Sequence, residues 1–130
     1  PHNSDTDDDD EDDNRKNWLL SDRAQISVII GRSLLSDKQE ETALKYFQHA
    51  IAIAELGGVD KDRNHLCEAL HYGAQAYLTT YINTSKEITT SILIEGAIKY
   101  LLRVLKSQCP KRLQRKSAAQ LEELLIIMNK

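Results

Sequence analysis

His65, Cys67 and His71 lie within seven residues of one another, and on a helix the spacing of four between Cys67 and His71 turns both toward one side, a pair suited to a divalent metal such as zinc. Zinc needs a third or fourth donor, and His49 and Cys109 are the available donors from elsewhere in the chain. The weightier reading makes Cys67 a small core residue and leaves the histidines on a helix surface, so no metal site is expected. No serine or cysteine nucleophile sits in a recognisable turn, no glycine-rich loop follows a strand, and no paired carboxylates stand in an ordered apolar setting. Those are the constellations that acyl transfer, phosphoryl transfer and acid–base chemistry require. No catalytic residue and no cofactor is therefore expected, and the chain reads as non-enzymatic.

What remains is charge and aromatic surface. Lys99, Arg103, Lys106, Lys111, Arg112, Arg115 and Lys116 follow one another with no acid between Glu95 and Glu122. Such a strip suits the phosphates of a nucleic acid, an acidic partner segment, or the chain's own acidic run; as a solvated face it needs no ligand. Nucleic acid is the less favoured partner, because the overall balance is acidic, Tyr100 alone interleaves the basic residues, and no recognition-helix motif is present. Tyr72, Tyr77 and Tyr81 form a partial stripe, which reads first as packing with hydroxyls at the rim and second as a groove for a partner helix.

At the other end, Asp5 and the run from Asp7 to Asp13 hold eight of the 20 acids; without them 12 acids face 17 bases, so a net charge of −3 becomes +5 for the remainder. An acidic run of this kind repels itself and buries nothing, so residues 1–13 are expected to be a disordered tail, solubilising or in contact with a basic partner. Ser4 and Thr6, each with an acid three residues on, fit acidophilic phosphorylation. Pro1 in place of Met implies a fragment or a processed chain, and no charged-then-apolar leader is visible. Cys67 and Cys109 lack a CxxC relation and read as reduced thiols of an intracellular protein, cytoplasmic or nuclear. Asn83-Thr84-Ser85 matches the glycosylation sequon and is taken only as a loop.

The 130 residues suffice for one domain, and the longest apolar runs, Ala50 to Ala54 and Leu124 to Met128, are too short to cross a bilayer. Apolar residues recur at three and four positions, which predicts an all-α chain. Five helices are expected. The first runs from Asn17 or Ser21 to Leu35, and the second from a Ser36/Gln39 capping box to Leu56, stopped by Gly57-Gly58. A third is capped by Asp60 and fades near Tyr81, a fourth follows a Thr84/Glu87 box to about Ser107, and a fifth starts at Pro110. Short connections make these helices antiparallel neighbours in a bundle or short solenoid.

Gly31, Ala43, Phe47 and Ala50 stand at the intervals of a tetratricopeptide repeat, which this segment resembles. The resemblance implies a helical hairpin in which a small residue faces an aromatic on the next helix. The run Ala43 to Ile51 also resembles a helix of the microtubule-interacting-and-transport (MIT) domain, a three-helix bundle. A second unit would use Gly73 with Ala97 and Leu101, although Gly73 and Ala97 are 24 apart against 12 for Gly31 and Ala43. Arg32 and Ala74 occupy the positions where some tetratricopeptide proteins carry a carboxylate-clamp asparagine, so that function is not implied. The expectation is a non-catalytic interaction domain over residues 14–130, an adaptor or scaffold piece, holding an acidic or helical protein segment in a helix-lined groove without membrane insertion. A basic domain for nucleic acid or an acidic surface is the alternative, and a structural piece of a larger scaffold a third.

Overall fold

The computed structural model describes residues 8–57, 63–82 and 87–128, with side chains from Leu20 onward except those of residues 21 and 87–91. It is all-α: α1 (Asp8–Ser36), α2 (Glu40–Gly57), α3 (Arg63–Ile82), α4 (Glu87–Lys106) and α5 (Lys111–Met128), with no strand among the described residues. None of these helices is long and apolar enough to cross a membrane.

Each helix packs on the next, α1 also touches α3, and α3 touches α5, whereas the described backbones of α2 and α4 do not meet. Connections of three to five residues enforce antiparallel neighbours. The result is two layers, α1, α3 and α5 side by side in parallel, with α2 and α4 behind them. Small residues at the crossings permit this closeness. Ala43, Phe47, Ala50 and Ala54 of α2 are fully buried with Val28, Leu66 and Leu70, and a second cluster joins Ala74, Ala97, Leu101 and Leu124. A Cβ on Gly31 would stand 2.7 Å from the Phe47 ring, and one on Gly73 2.9 Å from the Tyr100 ring. Only hydrogen fits there. The expected partner of Gly73 was the Ala97/Leu101 pair; both are buried, but the ring that seats on the glycine is that of Tyr100.

The α1–α2 corner differs from its reading. Lys38 adopts φ 65°, Gln39 N–H donates to Leu34 O at 2.9 Å, and Lys38 N–H donates to Leu35 O at 3.1 Å. This bond pair is a Schellman closure with lysine at the left-handed position, so Ser36 ends α1 instead of capping α2. Gln39 takes that place, its carbonyl accepting from Ala43 N–H at 2.9 Å. At the α4–α5 corner the Pro110 carbonyl accepts from Leu113 and Gln114, placing proline at the start of α5 as expected. The Gln114 side chain donates back to Ser107 O at 3.1 Å, covering the end of α4. The expected Asp60 and Thr84 caps lie outside the described residues.

At 29 residues α1 is the longest helix, about 43 Å at 1.5 Å per residue. Asp8–Asp13, expected in a disordered tail, are the opening residues of this helix. The remainder of the expected tail, residues 1–7, lies outside the described residues.

Candidate functional site

In the α1–α3–α5 layer, α3 carries a row at helical spacing, Glu68, His71, Tyr72 and Gln75, of which Glu68, Tyr72 and Gln75 are partly exposed and His71 is buried. On the α1 side, the Arg32 guanidinium carbon lies 4.5 Å from the centre of the Tyr72 ring, within cation–π range. Arg32 also stands 3.9 Å from Glu68. The Tyr72 ring is backed by Phe47, with centroids 6.3 Å apart, and meets His71 edge-on at 5.2 Å. That packing fixes the ring under the cation.

On the α5 side, His71 Nδ1 is hydrogen-bonded to Ser117 Oγ at 3.2 Å, both groups buried. Burial, then the nearby charges of Lys116 and Arg112, hold the imidazole below its ordinary pKa, so it is neutral near pH 7. Ser117 is fully buried, and its hydroxyl satisfies the histidine instead of facing a cleft. Gln75 and Gln120 then join α3 to α5 through a reciprocal amide pair, in which each Nε2 donates to the other's Oε1. Beyond the pair the layer opens into a cleft of about 240 Å³, lined by Leu78, Ile82, Leu124 and Ile127 together with Tyr81 and Glu123.

A disulfide between Cys67 and Cys109, with Cα atoms 5.7 Å apart, fastens α3 to the corner that starts α5. Arg63 adds a hydrogen bond to Gln108 at the same corner. The reading of reduced thiols is thereby corrected, and the intracellular placement drawn from it loses its ground. Residues 42 apart in sequence meet because the α3–α4 hairpin returns the chain to the start of α3. Cys67 is consumed, and no cluster of three metal-type ligands exists among the described residues. His71 is core, not the surface residue expected.

The basic strip divides between two surfaces. On α4, Arg103 crosses to Glu55 of α2 at 2.8 Å, and Lys99 and Lys106 share its row and are exposed. On α5, Lys111, Arg112, Arg115 and Lys116 are exposed, but Arg112 and Lys116 are the two whose charge reaches His71. The tyrosines do not form one stripe either. Tyr72 sits under Arg32 and Tyr81 at the cleft. Tyr77 turns the other way, accepting from Gln48 Nε2 at 3.3 Å and meeting Tyr100 at 5.3 Å. A Cβ on Gly96 would lie 2.7 Å from the Tyr77 ring. Burial, followed by the neighbouring Tyr77, pushes the Tyr100 hydroxyl up to about 12. Tyr100 is thus a packed residue and no part of a basic surface.

Arg32, Gln75 and Gln120 carry no signal in sequence; only the adjacency of the parallel helices brings them to one face. Comparison with known proteins finds no matching family, no matching curated protein and no matching solved structure.

Proposed function

We propose that the chain is a non-catalytic interaction module, an adaptor or scaffold piece, that holds an acidic segment of another protein against the α1–α3–α5 face. The observation that carries this reading is the arrangement around Tyr72 and His71. Arg32 of α1 lies over the Tyr72 ring, the charges of Arg112 and Lys116 of α5 reach His71 beside that ring, and an apolar cleft opens at the far end of the same face. Spaced cations supply steering and register, while a desolvated pocket supplies most of the affinity. The segment therefore carries carboxylates followed by a large aliphatic residue for the cleft. The two-layer stacking supports the likeness to tetratricopeptide hairpins, with the site on the layer that α1, α3 and α5 share. Lys111 and Arg112 oppose the dipole at the start of α5, a small local cost that a ligand with carboxylates offsets. The buried cysteine pair favours a compartment oxidising enough to form it over the cytoplasm or nucleus.

Fluorescence anisotropy with a labelled peptide of several aspartates followed by leucine tests the reading. Arg112→Glu with Lys116→Glu is expected to weaken binding severalfold, mainly by slowing association, and raised salt to weaken it moderately. A random-sequence DNA duplex bound more tightly than the peptide at physiological salt, with a steep salt dependence, would replace this reading by the nucleic-acid one.

A further inference from the structure

α5 has a thin apolar hold on the rest of the chain. Its buried residues are Leu113, Ser117 and Leu124, whereas α2 buries six side chains, all apolar. The two leucines of α5 stand about three turns apart. Between them α5 meets α3 through two polar pairs, Ser117 Oγ with His71 Nδ1 at 3.2 Å and the Gln120 amide with that of Gln75, with the partly buried Leu121 beside them. A seam with so little apolar area opens locally at lower cost than the whole fold. The start of α5 is fixed more firmly. The Cys67–Cys109 disulfide fastens the preceding corner to α3, and Gln114 donates to Ser107 O at 3.1 Å, so opening begins beyond Gln114 and turns about that corner.

His71 decides when the seam opens. It is buried, and no described carboxylate pairs with it. The charges that act on it are those of Lys116 and Arg112, both on α5. Toward α1, the adjoining Tyr72 ring carries Arg32, which itself stands 3.9 Å from Glu68; α2 and α4 lie in the other layer. The Ser117 hydroxyl can turn to accept from a protonated ring, so the hydrogen bond does not forbid an imidazolium. Burial and the two cations oppose it, and they hold the ring below its ordinary pKa. Parting α5 from α3 lifts both effects, because the ring meets water and the cations leave with their helix. The parted state therefore binds more protons below the ordinary 6.5, and falling pH favours it.

We propose that α5 is a latch released by acid: with a proton on His71 it parts from α3 beyond Gln114, and the cleft that Leu78 and Ile82 of α3 form with Leu124 and Ile127 of α5 is lost. The latch is a property of the fold; only its use, release of the acidic segment, rests on the peptide-binding reading.

Hydrogen exchange of the full chain by mass spectrometry, at about pH 7.5 and about pH 5.5 on either side of the ordinary 6.5, tests it once rates are corrected for the intrinsic effect of pH. Protection of the α5 amides beyond Gln114 is expected to fall severalfold in acid while that of α2 holds. His71→Asn, which can keep a hydrogen bond to Ser117 and has no proton to gain, is expected to show the same α5 protection at both values. Arg112→Gln with Lys116→Gln, surface changes that spare the buried pair, is expected to shrink the wild-type loss, because a charged His71 is then better tolerated. The labelled acidic peptide, whose aspartates stay ionised throughout, is expected to bind the wild type more weakly in acid. α5 protection that is unchanged in acid, that falls together with that of α2, or that falls as far in His71→Asn would overturn the latch, and peptide held equally at both values would overturn its control of the cleft. A wild type that binds no peptide even at the higher value would sink the peptide-binding reading instead, with the latch judged by exchange alone.

Discussion

Replacing Gly31 by alanine sets two effects of known size against each other. In an open helix the change gains about 1 kcal/mol, because alanine loses less backbone freedom than glycine. Here the new methyl would lie 2.7, 2.9 and 3.0 Å from three atoms of the Phe47 ring, closer than carbon atoms approach without displacement. The ring has nowhere to go: Phe47 is fully buried, with Tyr72 stacked on one side and the Gly73 backbone near its Cβ. Overpacking of this kind costs about 1–3 kcal/mol, and three simultaneous contacts put it toward the upper end. The clash therefore wins, leaving a net loss of about 1–2 kcal/mol. For 130 residues that is roughly 4–8 °C in Tm. Shortening the ring with Phe47→Leu makes room, so Gly31→Ala in that background is expected to be neutral or stabilising. The double-mutant cycle, read by urea unfolding with circular dichroism, should give a coupling of about 2 kcal/mol. Gly31→Ala more stable than wild type would show that the ring does not seat on this glycine and that the α1–α2 hairpin is packed differently.

Lys38 holds φ 65° at the end of α1, so Lys38→Gly should stabilise by about 0.5–1 kcal/mol in chemical denaturation, relieving the left-handed strain. Opening the Cys67–Cys109 bond releases a loop of 42 residues; on chain entropy alone, reduction or Cys67→Ala with Cys109→Ala should cost about 4 kcal/mol, measured as the shift in unfolding midpoint. His71 is neutral and depressed in the fold, so unfolded chains bind more protons below the ordinary 6.5. Stability is present above that pH and falls as pH drops toward the lower folded value. A thermal-unfolding series from neutral to acidic pH should show this loss, reduced in His71→Asn.

The five helices were legible because apolar spacing and breakers are local properties: Gly57 and Pro110 fall at the ends the sequence marks. The Gly31–Phe47 contact was legible for a related reason, since a small residue and an aromatic sixteen positions apart meet across one hairpin. Features made by three helices were not. Tyr72 and Tyr77 read as one stripe, yet five residues advance a helix by 140° beyond a full turn, which is enough to put one beside α1 and the other against α4. The basic residues read as one strip because they are consecutive, but α4 and α5 turn their cations to different neighbours. Cys67 and Cys109 gave no pairing signal, because their closeness depends on the α3–α4 hairpin and not on any short spacing. The Ser36/Gln39 box satisfied a local pattern that the Schellman closure overrode, since that closure satisfies two carbonyls of α1 at once.

Selection of peptides from a random display library on the wild-type chain, run beside the Arg112→Glu, Lys116→Glu variant, tests the proposed binding face most directly. The expected result is enrichment of sequences with clustered aspartate or glutamate ahead of a leucine, isoleucine or methionine, and loss of that enrichment on the variant with its fold intact. Selected peptides without acidic residues, or the same acidic peptides recovered equally on both proteins, would contradict it.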